Sequence, residues 1–418
     1  MIDLEESPSK NYNISAIIAF VVLILYVAIN PINKILNVSL STQFHLGASY
    51  LIFLLLIMYL VLTLAKISKF RLQFSLYNVG LFTLTLVNAI QLFSYPMVSE
   101  YFYTDVMSYY TSNLSVMISG TIVFWLAGAN IDKFQGIISN KRVKNTLYIV
   151  YVIFLISLVL AKQTMADQSD GASIFFQGDE RLGMHLYIGD TFVYFTILLI
   201  PMIESNFIKI IMAVDALYWS FMIGSRTSFY CYFLVLVLIL FKYFIKKKTQ
   251  LILIVFLVVI EITLITTFVM KDRLINSVFS EQGRMVAVVN DSGVDQSEIE
   301  REVQFKNGIE DIKKFWFTGR FLREFERTGR EGDYVHNVLS YWVEYGLIPF
   351  LLICFFILII IKRSVTLYFN KNDNKLNDFF IYFSVFAVMT LIAGRSYTYP
   401  YVWFSIAACT KLRSIKND

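Results

Sequence analysis

Apolar residues come in blocks along this chain, separated by short polar connectors. Runs of about 17–25 apolar residues are long enough to cross a bilayer as helices. Such runs fall near 14–33, 47–65, 76–95, 114–131, 146–162, 186–203, 207–223, 227–245, 250–270, 335–361, 379–394 and 398–412. One connector, 271–334, is far longer than the rest. The pattern predicts an all-α polytopic membrane protein of about twelve transmembrane helices. Nine lie in residues 1–270, a long outer loop follows over 271–334, and three more lie in 335–418, within a single integral membrane domain. Composition agrees with this. Of 418 residues 57% are hydrophobic and 16% charged, and the mean hydropathy is +0.62. A soluble domain could not hide so much apolar surface, so the bilayer is the first expected partner. The opening MIDLEESPSK is acidic and lacks the basic region and cleavage site of a signal peptide, so the first span is expected to stay.

Basic residues give the sidedness. With the N-terminus placed in the cytoplasm, 20 of the 36 Lys and Arg fall in inside segments and five in short outside ones. The other eleven lie in 271–334, which the positive-inside rule does not count because long loops translocate regardless of charge. Both termini are therefore expected in the cytoplasm and the long loop outside. Inside segments are rich in lysine, whereas the short outside ones carry Arg181, Arg226 and Arg395. Lysine suffices to hold a loop against anionic headgroups; arginine is the residue for a bidentate grip on phosphate.

Within the outer loop, QSEIEREVQFKNGIEDIKKFWFTG has helical periodicity. Ser297 and Glu300 form a capping box, and Ile299, Val303, Ile309, Ile312 and Trp316 recur at near-helical spacing. Lys313 and Lys314 suit the last turn and Gly319 a stop. An amphipathic helix over the outer mouth of the bundle is expected. In the following GRFLREFERTGREGD, acidic residues interleave with Arg320, Arg323, Arg327 and Arg330, and a solvated charged loop is the better reading of Arg327 and Arg330.

Candidate chemistry gathers at the outer ends of spans. His336 opens the tenth span with an imidazole that titrates near neutral pH, and Ser340 and Glu344 follow on the same helical face. A carboxylate inside a span is costly and marks a cavity or a partner. Arg226 sits in the turn MIGSRTSFY among Gly224, Ser225, Thr227 and Ser228, which offer amides and hydroxyls to an oxyanion. Arg181 and Arg395 hold other outer positions, and Arg301 lies in the capped loop helix. Each has a bland alternative: snorkelling for Arg226, an ion pair with Asp179 or Glu180 for Arg181, an interface anchor for Arg395 and a surface pair for Arg301. Together they suit a lipid-linked diphosphate, which needs cations for the leaving group and one base for the attacking hydroxyl. Cys231, Cys354 and Cys409 read as small buried hydrophobes. No HExxH or cysteine cluster occurs, so no metal site and no cofactor is expected. No nucleic-acid partner is expected either.

HNVLSYWVEYGLIPFLL resembles the opening of a late transmembrane helix in the O-antigen polymerase and O-antigen ligase superfamily. GSRTSFYCYFLVLVL resembles its SR-containing turn, REVQFKNGIEDIKKFWFTGRF is similar to its outer-loop arginine segment, and RLG before the sixth span matches a looser arginine motif. The likeness covers about residues 181–403; Pro349 stands where the family often has glycine. It implies a GT-C-like fold with a periplasmic loop in the bacterial inner membrane. The implied activity is a metal-independent glycosyltransferase that moves a growing glycan from undecaprenyl diphosphate to an acceptor sugar hydroxyl. Its implied partners are an undecaprenyl-diphosphate-linked oligosaccharide donor and acceptor, and it admits a chain-length regulator protein. On this resemblance His336 is the general base and Glu344 orients it. Arg226 binds the diphosphate with one or more of Arg181, Arg301, Arg320 and Arg395. Asn337 joins the substrate contacts, and Arg284 stands as the alternative to Arg301. A polymerase is the first reading, an O-antigen ligase acting on the lipid A core the second, and a twelve-span transporter or flippase the third.

Overall fold

The computed structural model describes residues 14–40, 75–99, 104–166, 184–244, 296–328, 335–370 and 374–412. The expected second and ninth spans, 47–65 and 250–270, lie outside the described residues, as do Arg181 and Arg284. Among the described residues there is no strand, so the protein is a helical one, and six helical stretches are long and apolar enough to cross a membrane.

The first is α1 (Ile14–Ile24), joined by a π turn over Leu25–Ile29 to α2 (Asn30–Leu40). The wider turn sits just ahead of Pro31, whose ring has no N–H and crowds the preceding carbonyls. Then come α3 (Leu76–Ser99), α4 (Thr104–Ala129) and α5 (Lys141–Ala166). They are followed by α6 (Met184–Leu199), α7 (Asn206–Met222) and α8 (Arg226–Phe244). The loop segment contributes α9 (Gln296–Lys314) and the short α10 (Arg323–Thr328). Last are α11 (Ser340–Tyr345), α12 (Leu347–Tyr368), α13 (Lys375–Ala393) and α14 (Tyr401–Lys411).

The expected tenth span is corrected here. It was to run as one helix from residue 335, but 335–339 is irregular, α11 lasts six residues, and α12 starts only after Gly346. Gly346 has φ +84 and its backbone crosses that of Gly319, at φ +65; a side chain on either would strike the other strand of chain. Only glycine takes both that backbone conformation and that contact.

Burial ranks the helices. The spans at His185–Met202 and Lys375–Ala393 are 83% and 78% buried, against 28% for Leu76–Phe93 and Lys141–Ala161. So α6 and α13 form the centre. Aromatic rings lock them to their neighbours: Tyr194 stacks on Tyr401 at 4.0 Å and meets Phe383 at 4.3 Å, and Phe124 meets Tyr401 at 4.5 Å. The peripheral helices turn apolar stripes outward at helical spacing: Ile149, Val152, Ile153 and Ile156 on α5, and Ile348, Leu351, Phe355 and Leu358 on α12. Exposed apolar stripes of this kind face lipid.

Two helices fix the ends of the bundle. On α8, Ser228 sits beside Asp190 and Arg395, and Lys242, fourteen residues on, pairs with Asp378 at the start of α13. Fourteen helical residues span about 21 Å, so these two charged clusters occupy opposite ends. At the Lys242 end Lys144 also pairs with Glu204 at 3.1 Å. The Glu204 carboxyl lies below its usual range because Lys144 donates to it and Lys375 adds its charge. Lys144, Lys242 and Lys375, all expected on one side, thus lie at one end. If it is cytoplasmic, cysteines placed at the exposed Asn145 and Thr318 should react with a membrane-impermeant maleimide from opposite sides. Labelling of intact and permeabilised cells checks this, and labelling of both from one side would refute it.

Candidate functional site

The end away from the lysines is built around one buried ion pair. Asp190 lies in α6 and Arg395 in the turn after α13; they are 3% and 7% exposed. Arg395 Nε donates to Asp190 Oδ2 at 2.7 Å and Nη2 donates to Oδ1 at 2.9 Å, a two-pronged match of the guanidinium to the carboxylate. Nη1 donates to the Gly394 carbonyl at 3.1 Å. Nη2 also donates to Ser228 Oγ at 3.2 Å and Ser225 Oγ at 3.4 Å. Ser228 gives its own hydrogen to Asp190 Oδ1 at 2.5 Å, so the 2.5 Å contact between the two serines is donated by Ser225.

Backbones approach closely to permit this. A methyl group on Gly189 would meet Ser225 Cβ at 2.8 Å, and one on Gly394 would meet Thr227 Oγ1 at 2.6 Å. The SR turn is therefore clamped between α6 and the turn after α13, with Arg226 as the first residue of α8. The hydroxyls of Ser225 and Ser228, expected to serve an oxyanion, are instead spent on the ion pair.

His336 stands half-buried in the irregular stretch before α11, at the same end. The stretch is tied to the Arg395 turn where the Tyr397 amide donates to Ser340 Oγ at 2.8 Å. Burial pushes the His336 imidazole down to about 4, and the charges of Arg301 and then Arg395 push the same way. The imidazole is therefore neutral at pH 7. His336, Arg301 and Arg395 thus share one electrostatic neighbourhood, which the SR turn borders through Ser225 and Ser228.

The remaining expected residues make contacts within the protein. Asn337 accepts from the Leu339 amide at 2.8 Å through its side chain and shapes the entry to α11. Glu344, 2% exposed, was expected to orient His336; its Oε2 accepts the Leu322 amide at 2.5 Å. Leu322 is held at φ +61, a conformation that costs a non-glycine residue about 1–2 kcal/mol. The Arg320 amide donates to the Val343 carbonyl at 2.8 Å and the Leu347 amide to the Phe317 carbonyl at 3.1 Å, completing the clasp between loop and α11. The Arg320 guanidinium pairs with Glu326 at 2.6 Å. Arg327, read as part of a solvated loop, instead reaches both oxygens of the buried Asp311, at 2.9 and 2.8 Å. Arg330 lies outside the described residues.

Asp190 was missed in the sequence, although the cost of a carboxylate inside a span singles it out as it does Glu344. The same holds for Asp215 in α7, which accepts a hydrogen bond from Tyr151 at 2.7 Å. Among the described residues no group of three or more His, Cys, Asp or Glu is placed to hold a metal ion. The chain has no significant match among protein-family models, curated proteins or solved structures.

Removing one partner of a buried pair strands the other charge. Asp190→Ala is expected to destabilise the protein by about 3–5 kcal/mol, and Asp190→Leu with Arg395→Met to cost much less. Thermal unfolding in detergent checks both; equal losses would show that the two charges do not depend on each other.

Proposed function

We propose that the protein transfers a glycan from a polyprenyl diphosphate to a sugar hydroxyl at the end of the bundle that carries His336. The observation that carries this reading is a neutral imidazole in the field of Arg301 and Arg395, at the mouth of a helical membrane protein. His336 takes the proton from the acceptor hydroxyl as its oxygen attacks the anomeric carbon. The bond from that carbon to the diphosphate breaks, and its electron pair leaves with the diphosphate. Negative charge grows on the leaving group, so cations fixed in advance lower the barrier most. Arg226 and Arg301 supply them. Arg395, its three nitrogens already engaged, positions the SR turn. Glu344 holds the outer loop in place through Leu322.

This reading keeps the GT-C-like twelve-span architecture, the periplasmic side and the inner-membrane location as parts of the same proposal. The acceptor is another lipid-linked repeat unit for a polymerase, or the lipid A core for a ligase. Loss of the gene separates them: single repeats on the core mark a polymerase, and a core without O-antigen marks a ligase. Asp215 within α7 favours the other class, a transporter or flippase, because intramembrane carboxylates mark ion and substrate paths. Movement of lipid-linked substrate across liposomes without a new glycosidic bond would select it.

His336→Ala and Arg226→Ala are each expected to abolish glycan elongation in membranes reconstituted with lipid-linked repeat units, with the protein still inserted. A full ladder from either variant would discard the site. The base works only when neutral, so kcat/KM should hold down to about pH 4 and fall below it, because the free imidazole protonates there. In kcat the limb should move upward, since a bound diphosphate offsets the arginine charge that lowers the imidazole. An acid limb in kcat/KM at the ordinary histidine value would refute this.

A further inference from the structure

Helix α9 docks on the protein by an unexpected face. Gln304, Gly308 and Asp311 are buried, and Gly308 lies so close to Val335 that a side chain there would collide with it. The apolar stripe of the helix is elsewhere. Phe305, Ile309 and Ile312 follow one another at spacings of four and three, about a quarter-turn round the helix from the docked face, and Trp316 follows four residues on, just past the helix end. Phe305 is 42% exposed, Trp316 55% and the next residue, Phe317, 52%, while Ile309 and Ile312 are half-buried. Such a stripe requires cover.

Its continuation runs onto a helix that faces lipid. The Trp316 carbonyl accepts from Trp342 Nε1 at 2.7 Å, and the Phe317 carbonyl accepts from the Leu347 amide at 3.1 Å. Trp342 in turn stacks on Phe350 at 4.9 Å. Leu347 is the first residue of α12, the helix whose Ile348, Leu351, Phe355 and Leu358 face lipid. Trp316 and Phe317 therefore stand at the head of a lipid-facing stripe and extend it past the end of the span. Lys313 and Lys314 are exposed beside them. Tryptophan and lysine together suit the headgroup layer, where the ring takes the boundary and the ammonium meets phosphate. A helix in the corner between protein and membrane has one face on the bundle and the next face on the bilayer, which is the arrangement here.

We propose that Trp316 and Phe317, with the α9 stripe behind them, insert into the phospholipid bilayer at its interface and pin the outer loop to the membrane. This stands whether or not the chain transfers sugars. The test uses the full-length protein in phosphatidylcholine nanodiscs, comparing wild type with Trp316→Phe so that the difference in emission isolates Trp316. Phosphatidylcholine brominated high on its acyl chains should quench that difference by about half or more, and iodide in the water should quench it little, as expected of an interfacial indole. A second reporter, Phe317→Trp in the Trp316→Phe background, should behave alike. Quenching of both by iodide and of neither by bromolipid would overturn the proposal, and is the result expected if the stripe awaits a partner protein.

Discussion

The end of this molecule that carries His336 depends on the pairing of Asp190 with Arg395. Each charge alone would be too costly where it lies, buried among helices, so neither α6 nor the turn after α13 can settle independently. The pair fills that requirement and recruits Ser225 and Ser228, so three chain segments distant in sequence meet at one point. Arg226 and His336 are placed as a consequence. The first opens the helix whose entry turn carries those serines, and the second precedes Ser340, which is tied to the Arg395 turn.

A second constraint holds the loop segment. Residues 317–322 and 343–347 clasp each other through backbone hydrogen bonds, two glycines at positive φ and the Glu344 carboxylate. The clasp breaks what would otherwise be one long span into α11 and α12. It also sets α9 against Val335, which brings the charge of Arg301 to bear on His336. A carboxylate bonded to a strained backbone turn stabilises a conformation that no local preference favours, and here that conformation seats the loop beside the imidazole.

The function proposed rests on His336 in the field of Arg301 and Arg395. In that proposal the arginines at this end have two roles. Arg395, Arg320 and Arg327 are matched by Asp190, Glu326 and Asp311, and they build the framework. Arg226 and Arg301 are the ones to which the proposal gives a substrate's phosphates.

Much of the fold was legible in the sequence because lipid imposes a simple rule: a spanning segment must satisfy its own backbone, so length and hydropathy mark it. Helices occur at ten of the twelve expected positions, the tenth broken at Gly346 and the other two positions lying outside the described residues, and six stretches are long and apolar enough to cross a membrane. What the sequence could not settle was partnership. Nothing in the spacing of Asp190 and Arg395, 205 residues apart, shows that they bond, and nothing near Glu344 shows that it accepts the Leu322 amide. Those outcomes are decided by which buried charges and carbonyls come within reach once the helices pack, because hydrogen bonds act over about 3 Å and hydropathy acts over a whole span.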